Sequence, residues 1–325
     1  MIVASSAYRE IENSLIQLGV SKDKIHQVYD RKKYANDDVI REITQWNFTC
    51  SNCEYEIGKY RIDLGYGHML PQYQMEYPMY DRFLGELSKC LQSDKWAIDI
   101  GANVGDSVFL LKAHSNIQVL AVEPIADYYE LLCKNVVQLS EVYTEKCMIS
   151  LHDKKQYRMI KHDGTGFAEG IACDMQNVIS AITLKNLLKI KKIDPKDVQM
   201  IKIDTDGFDA ECIMSLDTMI SQINGYIYFE NFFKNQEVHD QYDMAYEYLD
   251  KNGYKHFFIF DNFGNYLCEG NVTTIKAVND YLMRAQKGCS AKTIDYIDVL
   301  TVSDALYENT QKVIDRYVKI FDEIL

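Results

Sequence analysis

The sequence predicts an α/β protein with a mostly parallel sheet and helices on both faces, and three observations predict it. Apolar runs of strand length alternate with runs of helical spacing from Trp96 onward. The first of these strands leads directly into a glycine turn, Gly101-Ala102-Asn103-Val104-Gly105. Four strands end in a carboxylate, at Glu123, Asp204, Glu230 and Asp261. Ligands of open parallel sheets bind outside the carboxyl ends of the strands, and four acids on that rim are more than helix capping needs.

Taken in order, Trp96–Ile100 is a short apolar strand. After the turn, Asp106 and Ser107 are placed to cap a helix whose apolar face is Val108, Leu110 and Leu111. Residues 118–124 form a second buried strand, stopped by Pro124, and residues 128–137 have helical spacing. Three further strands follow at 200–204, 226–230 and 257–261, separated by helical runs at 210–223 and 242–252. Residues 271–325 read as a helix, a strand at 296–300 and an amphipathic helix with Val313, Ile314, Tyr317, Ile320, Phe321 and Leu325 on one face. Before the core lie a strand at 2–4, a helix at 8–18 that Ser6 could cap, and an aromatic-rich segment at 55–80 with few helix signals. A single short strand is unstable alone, so the first one needs a pairing partner, and a second subunit of a homo-oligomer is one candidate.

Composition narrows the function. Apolar residues make up 47% of the 325, enough for a sizeable core. Lys and Arg number 35 against 48 Asp and Glu, a net charge of −13 that repels phosphate backbones and disfavours nucleic-acid partners. No window approaches the roughly 18 apolar residues of a membrane span. Residues 1–6 lack the basic and apolar segments of a signal peptide, and nine scattered cysteines read as reduced thiols, so a cytoplasmic location is expected. Cys50-Ser51-Asn52-Cys53 lacks the second ligand pair that a structural zinc site needs.

The glycine turn admits two ligand classes. A dinucleotide site would show G-x-G-x-x-G, whereas the spacing here is G-x-x-x-G, and Asp106 opens the helix where a diphosphate would approach. S-adenosylmethionine carries no phosphate and brings an ammonium and a sulfonium. Asp99 at the strand end suits that cationic part, and Glu123 at the next strand end suits the ribose hydroxyls. Gly101, Asn103, Gly105, Asp106 and Ser107 complete the expected cofactor-binding set.

Asp99-Ile-Gly-Ala-Asn-Val-Gly-Asp106, then Val122-Glu123-Pro124, then Ile201-Lys-Ile-Asp-Thr-Asp-Gly-Phe-Asp209 resemble the FkbM family of S-adenosylmethionine-dependent methyltransferases. Thr183 to Leu188, Tyr228-Phe229-Glu230, and Gly253-Tyr254 leading to Phe260-Asp261-Asn262-Phe263-Gly264 follow in the same order, so the resemblance covers about residues 70–300. It implies a Rossmann-like class I methyltransferase fold with a mostly parallel seven-stranded sheet and helical additions at both ends. It also implies O-methylation, and the segment His68-Met69-Leu70-Pro71-Gln72-Tyr73 is similar to enzymes of surface-glycan or secondary metabolism. On that reading residues 1–85 are an extension capping the acceptor side, 86–270 the cofactor-binding core, and 271–325 its completion. The acceptor would be a sugar or nucleotide-linked sugar. The chain departs from the family after the strand-four acid, with Asp206-Gly207-Phe208-Asp209 and with Lys185 after Thr183-Leu184. A silent scaffold subunit and a nicotinamide-dependent oxidoreductase are the alternative readings.

Methyl transfer requires an aligned acceptor and a place for its proton. Asp204 is the first candidate, as base or as an orienting group, with Glu230 and His68 beside it and His256 as a further base. Asp204 and Asp206 would also be the ligands of a hard cation such as Mg²⁺, which favours oxygen donors, although Asp206 and Asp209 fit helix capping equally well. Tyr73, Asn231, Asp261 and Asn262 are candidate contacts for a polar acceptor.

Overall fold

The computed structural model describes residues 14–21, 54–57, 59–65, 68–162, 165–170, 178–232, 235–288 and 294–324, with short strands at 2–3, 26–27 and 46–47. Strand β1 (Ile2–Val3) pairs parallel with β2 (His26–Gln27), so the first strand finds a partner within its own chain. Strands β3 (Trp46–Asn47), β4 (Glu54–Ile57) and β5 (Tyr60–Asp63) form an antiparallel sheet. Helix α1 (Leu70–Glu76) starts with Pro71 in its first turn, where a missing N–H costs nothing. The aromatic-rich segment thus holds a hairpin and a helix. The residues of the expected first helix before Ser14, together with Cys50 and Cys53, lie outside the described residues.

After α2 (Phe83–Leu87) the core alternates strand and helix as the periodicity indicates: β6 (Trp96–Ile100), α3 (Asp106–Leu111), β7 (Gln118–Val122), α4 (Ala126–Val136) and β8 (Val142–Glu145). Strands β9 (Met148–Ile149), β10 (Gln156–His162), β11 (Thr165–Gly170) and β12 (Val178–Ile182) then make a separate four-stranded sheet. The chain returns through α5 (Leu184–Lys191), capped by Thr183, to β13 (Val198–Ile203), α6 (Asp209–Met214), β14 (Tyr226–Asn231), α7 (Gln236–Lys251) and β15 (Tyr254–Asp261). Strand β16 (Tyr266–Gly270), α8 (Val272–Gly288), β17 (Ile297–Ser303) and α9 (Asp304–Ile324) complete it.

The large sheet runs β16-β15-β17-β14-β13-β6-β7-β8. Strand β17 is antiparallel to both neighbours and β16 to β15, while the other pairs are parallel. This is a Rossmann-like, doubly covered α/β arrangement. The expected seven strands are present, and the correction is an eighth, β16, which hairpins onto the edge. The run at 210–223 is not one helix either: α6 ends at Met214 and a 3₁₀ turn spans Asp217–Gln222, where Asp217 sits at φ +50°.

The strands are apolar on both faces because both faces are covered. On one side Ala97, Val119, Ala121 and Met200 pack against α2, α3, α4 and α9. On the other, Ile98, Leu120, Ile201 and Ile203 pack against α5, α6, α7 and α8. Period-2 alternation divides each strand between the two layers. Among the described residues no helix is long and apolar enough to cross a membrane.

Candidate active site

The parallel strands β6, β7, β13 and β14 end side by side, and a cleft opens above their carboxyl ends. Its floor is the turn after β6. The amides of Gly101 and Ala102 both donate to the Val122 carbonyl, at 2.9 and 3.0 Å, tying the turn to β7. Gly101 has φ +78°, and a Cβ there would lie 1.7 Å from the Asp204 carbonyl oxygen. Only glycine lets the ends of β6 and β13 approach this closely. Gly105, at φ +94°, is the N-cap of α3 with no side-chain cap, so the expected capping by Asp106 and Ser107 does not occur. Ser107 instead donates to the Asp99 carboxylate at 2.6 Å.

Gly101, Asn103, Asp106, Ser107 and Glu123 line the cleft. Asp99 and Gly105 are not among its lining residues. Asp99 is fully buried beneath the turn because it serves the protein's own polar groups. Glu123, only 4% exposed, accepts the Asn103 amide on one oxygen (3.0 Å) and the Ile125 amide on the other (2.7 Å). Its carboxyl is thereby aimed, and burial pushes its pKa up to about 7 despite both hydrogen bonds.

Lys202 was not singled out by sequence reasoning, which treats a lysine within a strand as solvent-facing. It is 6% exposed, with Nζ 3.5 Å from Asp99 Oδ1 and 3.2 Å from Asp204 Oδ2. Burial lowers its proton affinity, but the fields of Asp204, Asp99, Asp106 and Asp81 outweigh this and raise it. Lys202 therefore stays cationic and locks the ends of β6 and β13 together. Asp204 keeps a half-exposed side chain, 49%, facing the cleft.

The other candidates separate clearly. Asp206 and Glu230 line the cleft. Asp209 is fully buried, does not cap α6 and is not among the residues lining the cleft. It accepts the Thr205 amide (3.2 Å), the Thr205 hydroxyl (2.6 Å) and the Glu230 amide (3.1 Å), bracing the loop after β13 against β14. Among the described residues no group of three or more His, Cys, Asp or Glu is placed to hold a metal ion. His68 lines the cleft, and its Nδ1 accepts the Leu70 amide at 3.2 Å. In the neutral ring that leaves the proton on Nε2, which makes His68 a donor rather than a base. His256 lies at the opposite end of the sheet, stacked on Tyr307 and 2.8 Å from Asp304. Asp261 is occupied by the Phe263 and Asn265 amides of the β15–β16 turn, Asn262 accepts the Asp295 amide, and Asn231 is buried against Asn279.

The two ends of the cleft differ in character. Near Glu123 the walls are apolar, from Ile125, Met148, Ile149 and Phe208. Two of these come from the small sheet, which is anchored by the hydrogen bonds of Ser150 and Tyr157 to Glu211, at 2.7 and 3.3 Å. Beyond Asp204 the walls are aromatic and acidic, from Tyr80, Asp81, Tyr228, Glu230, Tyr296 and Asp298. Tyr80 and Asp81 come from the loop before α2 and Tyr296 and Asp298 from the start of β17, neither of which carries a local motif.

Residues 99–256 match the family model described as the methyltransferase FkbM domain, in agreement with the motif resemblance. No curated protein matches the chain. Among solved structures, the chain is similar to an O-methyltransferase from Bacillus cereus in complex with SAH, at 12% identity and a TM-score of 0.40, over 69% of this chain and 80% of that one. It is also similar to M. jannaschii TYW2 in complex with AdoMet, at 14% identity and a TM-score of 0.36, over 79% and 89%.

Proposed function

We propose that this chain, whose residues 99–256 match the methyltransferase FkbM domain, uses S-adenosylmethionine to methylate a sugar hydroxyl in glycan or secondary-metabolite assembly. The observation that carries the cofactor half is the pairing of the Gly101 turn with the aimed Glu123 carboxyl at adjacent strand ends. A side chain at position 101 would fill this cradle, and Asp106 opposes a diphosphate at the start of α3. Glu123 would hold the ribose hydroxyls, and the apolar wall of Ile125, Met148, Ile149 and Phe208 suits a purine. When bound, S-adenosylmethionine supplies a methyl group already activated by its sulfonium. The sugar half rests on the aromatic and carboxylate walls beyond Asp204, which offer flat apolar faces to C–H groups and acceptors to hydroxyls.

The chain's own task is then alignment and proton removal. Asp204, held by Lys202 at 3.2 Å and open to the cleft, accepts the acceptor hydroxyl's hydrogen bond and takes its proton as the oxygen is methylated. The test is calorimetric titration of S-adenosylhomocysteine, then turnover of a sugar panel by wild type and Asp204→Asn. The variant should keep its cofactor affinity and lose about 10²- to 10⁴-fold in kcat, the usual worth of general-base catalysis. Wild type that fails to bind the cofactor product would refute the assignment.

A further inference from the structure

The far end of the cleft carries more acid side chains than a neutral sugar or the cofactor accounts for. Asp81, Glu230 and Asp298 all line it, and Lys202, the one lysine among the described residues that line the cleft, is already committed to Asp99 and Asp204. Glu230 and Asp298 are directly paired across β14 and β17, so their side chains leave the same face of the sheet. Asp298 is hydrogen-bonded by the Tyr228 hydroxyl. Glu230 Oε2, in contrast, is closed off from solvent and receives no hydrogen bond among the described residues. A carboxylate oxygen enclosed without a donor, beside further acids, is costly unless a ligand brings the donor.

Two kinds of ligand could supply it. A divalent cation held mainly by the protein needs several oxygen donors converging at short, fixed distances, and no group of three or more His, Cys, Asp or Glu among the described residues is so placed. A primary ammonium needs less: it presents three N–H donors and tolerates looser geometry. The neighbouring rings of Tyr80, Tyr228 and Tyr296 add faces that attract a cation. A nucleotide-linked acceptor would instead have to set a diphosphate among these acids.

We infer that the acceptor is an amino sugar, free of phosphate, whose protonated amine is held between Glu230 and Asp298 while a hydroxyl of the same molecule faces Asp204. This inference rests on the methyltransferase reading and names its substrate class. Burial and the surrounding acids raise both carboxyls above the usual range, and a bound ammonium favours their ionised form, so binding of the amine is coupled to proton release.

The test is calorimetric titration of glucosamine, galactosamine and mannosamine, each against its N-acetyl form and against UDP-glucosamine, with and without S-adenosylhomocysteine. At least one free amine should bind about tenfold or more tighter than its N-acetyl form, as one charge-assisted hydrogen bond requires. Its binding enthalpy near pH 7 should differ between phosphate and Tris, reporting the released proton. Glu230→Gln should remove the preference while S-adenosylhomocysteine affinity, which also serves as the folding check, stays within about twofold of wild type. Equal or tighter binding of the N-acetyl or nucleotide-linked forms overturns the inference, and so does failure of all three amines to bind. Neither result touches the transferase reading, which fails only if S-adenosylhomocysteine does not bind. The wild-type panel decides the question even if the variant does not fold.

Discussion

At the scale of single residues, the site depends on groups that cannot be exchanged for close relatives. Gly101→Ala would place a methyl 1.7 Å from the Asp204 carbonyl at a φ of +78°. The turn must then open, and S-adenosylhomocysteine affinity should fall by more than about tenfold in calorimetry, since strain of this kind costs about 1–3 kcal/mol. Lys202 is the buried counter-charge of Asp99, which is itself fully buried. Lys202→Met should lower unfolding free energy by about 3–5 kcal/mol in urea titration, because it leaves an uncompensated buried carboxylate. Adding Asp99→Asn should recover part of that loss. Additive losses in the double variant would show that the two groups do not act as a pair. The glycine turn and Glu123 were legible in the sequence because each lies within a few residues of a strand end. Lys202 was not, because burial of a lysine depends on which strands flank it.

At the scale of elements, helix α9 holds in place the cleft wall beyond Asp204. The Tyr317 hydroxyl donates to the carbonyls of Met79 (3.2 Å) and Gly264 (2.7 Å), clasping the loop that carries Tyr80 and Asp81. Arg316 reaches the fully buried Glu86 of α2 at 2.8 Å. Gly264, at φ +85°, allows the close approach, since a Cβ there would lie 2.1 Å from the Met79 carbonyl. Tyr317→Phe should destabilise the protein by about 1 kcal/mol, the usual net worth of a buried hydrogen bond. It should also raise KM for the acceptor while leaving S-adenosylhomocysteine affinity unchanged. An unchanged KM would show that the loop is held by its other contacts. Amphipathic spacing identified α9 and its buried Tyr317, whereas the clasp joins Tyr317 to Gly264 and to Met79, 53 and 238 residues away, and has no local signal.

At the scale of the whole molecule, a chain of net charge −13 places seven acids and one lysine among the described residues that line one cleft. Burial pushes the carboxyls of Asp81, Glu123 and Asp209 up to about 7 and that of Asp106 to about 6. Unfolded, the same groups titrate near 3.8 for Asp and 4.5 for Glu. Between these limits the folded chain binds more protons, so stability falls as pH rises from about 4.5 to about 7. The opposite group, Asp63, Asp153 and Asp217, has its pKa lowered by hydrogen bonds and ion pairs, so its contribution is lost only at lower pH. The ligand-free protein should therefore have a higher Tm near pH 5.5 than near pH 7.5 by scanning calorimetry. A Tm that climbs steadily across that range would mean the acids are ionised and solvated in the folded state.

The sequence by itself determined the α/β class, the strand and helix order of the core, the glycine turn and the acid at the end of β7. These are written in local periodicity and in residues adjacent along the chain. Only the tertiary structure decided that Asp99 is spent on Lys202 and Ser107, that Asp209 braces a loop, and that His256 lies at the far end of the sheet. It alone brought Asp81, Glu230 and Asp298 to one wall, from a loop and two strands far apart in the chain. The physical reason is the same throughout. Backbone form follows short-range spacing, whereas the charge state and exposure of a side chain are set by neighbours that only folding supplies.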